Sequence, residues 1–302
     1  MSKALPNRPL NPRRIGVLAI NTFTQLVRMK VFYFLAIFGV VLIAAQSLDL
    51  PTSSAPENAG LQILYSIKNA SFGCMQLFSL VLAVVATGLL LPKDIEDRTL
   101  YTILAKPVPR LDYLLGKFFG VTSLIFVTLA VMDLLMVGVL SFRTSEIVEM
   151  RSAFADRSGF TPEMKESYVG ETRALGPTWS LQAGVLILFF KSMVMAAVAL
   201  LLSTFSTSTL FTAVVGFMVL FIGFFQADAR EYYFSDAGLL GKIGSGAMTV
   251  ALPDFQLFNL TDSILEGKVI KVADLLKVTG VTAFYCITYI FTSWIVFARK
   301  EF

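Results

Sequence analysis

The chain has 302 residues, of which 56% are hydrophobic and only 15% charged, and its mean hydropathy is +0.72. Soluble domains carry about a quarter charged residues, so these charges are too few to cover a water-facing surface and the apolar excess must face lipid. The sequence contains no histidine, which removes Ser-His and Cys-His catalysis, imidazole metal sites and the imidazole pH switch.

Residues 1–30 form too long a charged stretch for a cleavable signal peptide, and five more hydrophobic runs follow the first. Within this stretch, 12–30 reads as an amphipathic helix. Ile15, Leu18, Thr22 and Leu26 fall at helical spacing, while Arg13, Arg14, Arg28 and Lys30 can meet anionic head groups. A flexible basic tail is the alternative.

A bilayer core about 30 Å thick needs roughly 20 mainly apolar residues per helix. Six runs meet this: 31–48, 72–91, 114–142, 181–202, 210–225 and 278–297. The third is long enough to tilt or to extend past the lipid. The fourth and fifth are joined only by 203–209, which implies an antiparallel helical hairpin. The runs are continuous rather than alternating, which argues against a β-barrel. The expected fold is therefore all-α: a single six-helix transmembrane domain over 31–302, preceded by the tail and amphipathic helix of 1–30. An inner loop covers 92–113, and outer loops cover 49–71, 143–180 and 226–277. Parts of 146–154 and 162–169 have helical character. The glycine-rich 239–252 reads as a re-entrant or interfacial segment. Cys74 and Cys286 sit in apolar runs as small buried hydrophobes, without a C-x-x-C motif.

Lys and Arg placement sets the orientation. With both termini inside, the inner segments together with Lys117 hold 13 basic and 5 acidic residues, and the outer segments hold 11 basic and 15 acidic. The net charge of +4 is thus a topology signal, and no nucleic-acid partner is expected. Two charges fall inside spans, Asp133 in the third and Lys191 in the fourth. Counted from the expected outer ends, both lie about 14–15 Å deep, which allows an ion pair. That pair could belong to a transport path or fix helix register; snorkelling of either group, or a span shorter than drawn here, are the remaining options.

The inner loop is richer than a connector needs. It has a charged entry at Asp94, Glu96 and Asp97, then an apolar stripe at Leu100, Ile103 and Leu104, then a Pro107-Val108-Pro109 break. Residues 94–104 read as a short helix across the inner face, with its acids near the N-terminus. Such a piece suits docking of a soluble partner, or packing on the membrane domain itself.

Two acids before Arg98-Thr99-Leu100, then Leu104-Ala105-Lys106-Pro107-Val108-Pro109-Arg110, then Leu115-Gly116-Lys117, resemble the membrane subunit of type-2 ABC transporters. Asp97 departs from that pattern, where many relatives carry Gly or a basic residue. The resemblance implies that the loop is a coupling helix against an ABC ATPase subunit. Its contact residues would be Asp94, Glu96, Asp97, Arg98, Thr99, Leu100, Leu104, Pro107, Arg110, Gly116 and Lys117. It also implies a second permease copy or paralogue, and a multi-pass location in a plasma membrane, the inner membrane of a bacterium. The chain has no G-x-x-x-x-G-K-[ST] loop. ATP and Mg are therefore expected on the partner, with no cofactor, metal or catalytic residue on this chain. The function implied is the permease of an ATP-driven exporter. The same loop would also suit a membrane anchor or regulatory subunit for a soluble ATPase complex.

Overall fold

The computed structural model describes residues 10–29, 59–96, 108–206, 208–236, 252–259 and 270–299, with Tyr33, Ile37, Gly39 and Val41 between them. The described residues are helical throughout, without a strand, apart from short connections. The helices are α1 (Pro12–Val27), α2 (Ala59–Glu96), α3 (Arg110–Arg157), α4 (Pro162–Ala174), α5 (Trp179–Phe205), α6 (Thr209–Asp236) and α7 (Val272–Arg299), with a 3-10 turn at Phe255–Phe258. Among them α2, α3, α5, α6 and α7 are long and apolar enough to cross a membrane. Of the first expected span, only Tyr33, Ile37, Gly39 and Val41 are described. All four are helical; Tyr33, Ile37 and Val41 point outward at four-residue spacing, and Gly39 abuts Met132 of α3.

Local chemistry explains where these helices start and stop. α1 begins at Asn11, whose side chain accepts the Arg13 N–H at 3.0 Å, with Pro12 at the first helical position. It is the amphipathic helix expected over 12–30: Thr22 and Leu26 are buried, and Val17 and Ile20 face outward. α3 ends at Gly159, which takes φ +68°, while the Phe160 N–H bonds the Ala155 carbonyl at 3.1 Å. Thr161 then caps α4, its hydroxyl accepting from the Met164 N–H, and Pro162 opens that helix.

Several spans overrun the limits set by hydrophobicity. α2 starts at Ala59 rather than 72, and α3 runs 15 residues past 142. At 1.5 Å per residue α2 is about 57 Å long and α3 about 72 Å, against a hydrocarbon core of about 30 Å. Polar residues mark where the lipid ends, not where the helix ends. Much of the segments expected as outer loops is therefore helix: 59–71, 143–157, 162–174 and 226–236.

The core is built around α5, which packs between α2 and α7. Its residues Met195, Ala196, Ala197 and Ala199 are fully enclosed, and the three alanines let neighbouring backbones approach closely. Outside the lipid, Gly60 of α2 lies against Ile147 of α3. There α4 folds back on α3, held by Arg151. The Arg151 guanidinium lies 3.6 Å from the Tyr168 ring and donates to the Thr172 hydroxyl at 3.0 Å. Phe154, Phe160 and Tyr168 close the turn with ring centroids 5.6–6.4 Å apart.

Candidate functional site

The two roots of the inner loop are the end of α2 and the start of α3. An acid in the last turn of a helix opposes the helix dipole, yet Asp94 is buried there. Lys117 of α3 compensates it, with Nζ 2.7 Å from Asp94 Oδ2. Tyr113, one turn earlier on α3, donates its hydroxyl to the same oxygen at 2.5 Å. The four-residue spacing of Tyr113 and Lys117 puts both on one face of the helix. All three side chains are withdrawn from water, so the carboxylate depends on these charge-assisted bonds.

The same turns of α3 hold two other helices. The last carbonyls of a helix lack partners of their own. At the end of α7, Arg110 supplies them: its guanidinium donates to the carbonyls of Phe297 at 2.6 Å and Ala298 at 2.7 Å. The Tyr113 ring stacks on Phe297, with centroids 5.9 Å apart and planes 12° off parallel. On the other side, Arg14 of α1 lies 3.0 Å from the buried carboxylate of Asp112, which sits in α3's first turn. α1 crosses α3 where Gly116 and Gly120 leave room. A Cβ on Gly116 would overlap Leu18, and one on Gly120 would come within 2.5 Å of the Thr22 Cβ. Residues 110–120 thus fasten α1, α2 and α7 to α3.

Of the residues singled out in the sequence, Asp94, Arg110, Gly116 and Lys117 meet in this clasp. Asp94 and Glu96 belong to the end of α2, which continues through Pro92, rather than to the N-terminus of a separate helix starting at 94. The inner loop therefore begins later than 92. Asp97, Arg98, Thr99, Leu100, Leu104 and Pro107 lie outside the described residues. Sequence reasoning set Arg14 against anionic head groups, where the structure pairs it with Asp112, and missed Asp112, Tyr113, Gly120 and Phe297. Two signals were available for them: the one-face spacing of Arg110, Tyr113 and Lys117, and the Gly116-x-x-x-Gly120 pattern.

The Asp133–Lys191 ion pair that equal depth would allow does not form. Asp133 accepts a hydrogen bond from Gln182 Nε2 at 3.2 Å, and Phe126 meets Phe189 at 5.5 Å between ring centroids. This register puts Lys191 opposite the level of Leu124, nine residues or about 14 Å deeper than Asp133. The depth count failed because it took 142 as level with 181, whereas the observed register sets 181 level with 134, so the outer end of the third span was drawn about eight residues too far out. Asp133 faces the first turn of α5, while Lys191 lies at mid-span. Lys191 is buried, with Nζ 4.2 Å from the Phe224 ring centre of α6 and 5.7 Å from that of Phe255. Phe255 arrives on a segment, 252–259, that folds into the bundle; of the 239–252 stretch expected as re-entrant or interfacial, all but Leu252 lies outside the described residues. Gly223 of α6 admits it: a Cβ there would stand 2.6 Å from the Phe255 ring and 2.8 Å from the Pro253 carbonyl oxygen. Asp254 caps the turn by accepting the Gln256 N–H at 3.0 Å, and Gln256 Nε2 donates to the Phe224 carbonyl at 3.1 Å. Non-helical backbone at this depth is tolerated because it is enclosed by protein. A charge at mid-membrane costs about 2.5–3.5 kcal/mol, and contact with aromatic faces returns about 2 kcal/mol when desolvated.

No curated protein matches the chain. Residues 16–240, which contain Asp94, Arg110–Gly120, Lys191 and five of the six expected spans but not Arg14 or α7, match the model of the ABC-2 family transporter protein. A many-helix membrane bundle whose inner loop is rooted in a four-helix clasp, matched over this length, belongs to the ABC-2 family of transporter membrane proteins.

Proposed function

We propose that this chain is the permease of an ATP-driven exporter that takes its power stroke from a separate ABC ATPase subunit through residues 94–117. The observation that carries this reading is the clasp. Both roots of the loop, Asp94 and Arg110–Lys117, are bonded to each other, and α3 is bonded in turn to α1 and to the end of α7. A push on 97–107 would therefore move four helices together rather than bend one loop, and rigid-body movement of packed helices is how such bundles change access. Residues Asp97, Arg98, Thr99, Leu100 and Leu104 are the docking residues in this reading, and the clasp transmits. ATP and Mg reside on the partner. Two ATP sites at a shared interface require a second permease copy or a paralogue. The excess of basic residues on the loop side supports a cytoplasmic ATPase, and a bacterial inner membrane is the location this reading takes from the family resemblance.

The test is isolation of the full-length chain from native membranes, assayed for a co-purifying ATPase, beside a variant with Asp97, Arg98 and Thr99 changed to Ala. An ATPase that accompanies the wild type and is lost from the variant supports the reading. A folded chain that carries no ATPase in either form overturns it and favours a membrane anchor without a translocation path.

A further inference from the structure

We propose that Lys191 receives the acidic head of the transported molecule, a single carboxylate or phosphate on an apolar body, and that Phe255 stands in its place until such a molecule arrives. The proposal rests on the permease reading above and names its substrate class.

Among the described residues, Lys191 is the cation at mid-span, and none of them forms an ion pair or hydrogen bond with it. An ammonium has three N–H donors, and aromatic faces offer them no lone pair. Rings thus hold the charge in place while leaving its hydrogen-bonding capacity unspent, and an anion would use that capacity fully.

The two rings differ in how they are mounted. Phe224 belongs to α6, a continuous helix. Phe255 sits on a four-residue 3-10 turn, held by the Asp254 cap and the Gln256 side chain. Lifting that turn off Gly223 uncovers Lys191 without breaking a membrane span. Asp254, which caps the turn, moves with Phe255. The remaining surroundings select the rest of the molecule. Phe224, Met195 and the enclosed alanines of α5 are apolar, and one ammonium balances one negative charge. A polyanion would bring charges with no partner, and a neutral amphiphile would leave Lys191 as it stands.

The experiment uses the full chain in phosphatidylcholine nanodiscs. It is titrated with 11-(dansylamino)undecanoate and, separately, with the methyl ester of that acid, both followed by dansyl fluorescence. Wild type is expected to bind the acid about tenfold or more tightly than the ester, the scale of a hydrogen bond to a charged group. Lys191→Arg should keep that preference. Lys191→Met should abolish it, and because it removes a charge from the membrane it should fold at least as well. Phe255→Ala should tighten binding of the acid by unmasking the site. Equal affinity for acid and ester in the wild type, or a preference that survives Lys191→Met, overturns the proposal. Two competitors separate the sources of the anion. Displacement by phosphatidylglycerol built into the disc assigns a lipid passenger, and displacement by free dodecyl phosphate alone assigns a soluble one; displacement by neither overturns the site. None of these measurements needs the ATPase. Loss of acid preference with ATPase coupling intact would therefore remove this site and leave the permease, and the opposite result would leave the site and remove the permease.

Discussion

Asp94 illustrates how a residue can be read correctly as important and wrongly as exposed. In the sequence it is one of three acids at the head of a charged loop, which points to docking. In the structure it is buried and bonded to Lys117 and Tyr113. Nothing in the local pattern reveals that partner, because Lys117 lies 23 positions away across a loop. The energetic consequence is testable. Breaking one member of a buried pair leaves an uncompensated charge and costs about 3–5 kcal/mol, whereas replacing both with apolar groups is often neutral. Asp94→Asn and Lys117→Met should each lower the midpoint of thermal unfolding in detergent, and the double variant Asp94→Leu, Lys117→Met should recover most of the loss. If the double variant is as unstable as the singles added together, the two residues are not coupled. Lys191 makes the complementary point. Its presence in a span was plain from the sequence, but its partners are rings from α6 and from a 3-10 turn that hydrophobicity does not distinguish from a loop.

Most of the helices were legible as elements, and their ends were not. The apolar runs 181–202 and 278–297 match α5 (Trp179–Phe205) and α7 (Val272–Arg299) to within a few residues at most ends. The run 114–142 stops short of the end of α3, which is set instead by Gly159 in a left-handed conformation and by Thr161. α1 was legible as amphipathic, but its seat on α3 was not. That seat depends on Gly116 and Gly120 meeting Leu18 and Thr22 some hundred residues away in the chain. Overpacking a close contact costs about 1–3 kcal/mol. Gly116→Ala with Gly120→Ala is therefore expected to lift α1, seen as faster hydrogen exchange in 12–27 with α5 unchanged. At the outer end, Arg151→Ala should release α4 from α3 at a cost of about 2 kcal/mol, the scale of a desolvated cation–π contact. Hydrogen exchange should then quicken across Pro162–Ala174 and leave α2 and α5 as they were; unchanged exchange there would mean that the Phe154, Phe160 and Tyr168 rings suffice.

For the molecule as a whole, composition and charge placement were enough to give an all-helical membrane bundle, and the 91–117 motif was enough to give the family. What they could not give is the division of labour inside that motif. Arg110, Gly116 and Lys117 turn inward to the clasp, and the proposed function assigns docking to 97–107, which lie outside the described residues. Docking and transmission should therefore separate by mutation. Arg110→Ala removes the ligand of two α7 carbonyls and the cation facing Phe297. It is expected to keep the ATPase bound while reducing transport about tenfold or more, by a loss of coupling of the order of 1–3 kcal/mol. The check is the ratio of transport to ATP hydrolysis in reconstituted vesicles. Loss of the ATPase itself in Arg110→Ala would assign that residue to docking instead.

α3 is an unbroken rod from Arg110, inside the clasp, to Arg157, beside α4. Its inner foot and outer tip are parts of one lever about 72 Å long, and a tilt of about 5° at one end sweeps the other through about 6 Å. If the proposed ATPase drives α3, the outer hairpin is then a pointer on a dial: the angle imposed inside would be displayed outside the membrane, magnified and without a relay. A fluorophore on the outer face of α4 would read the stroke from the far side of the bilayer, where no nucleotide reaches.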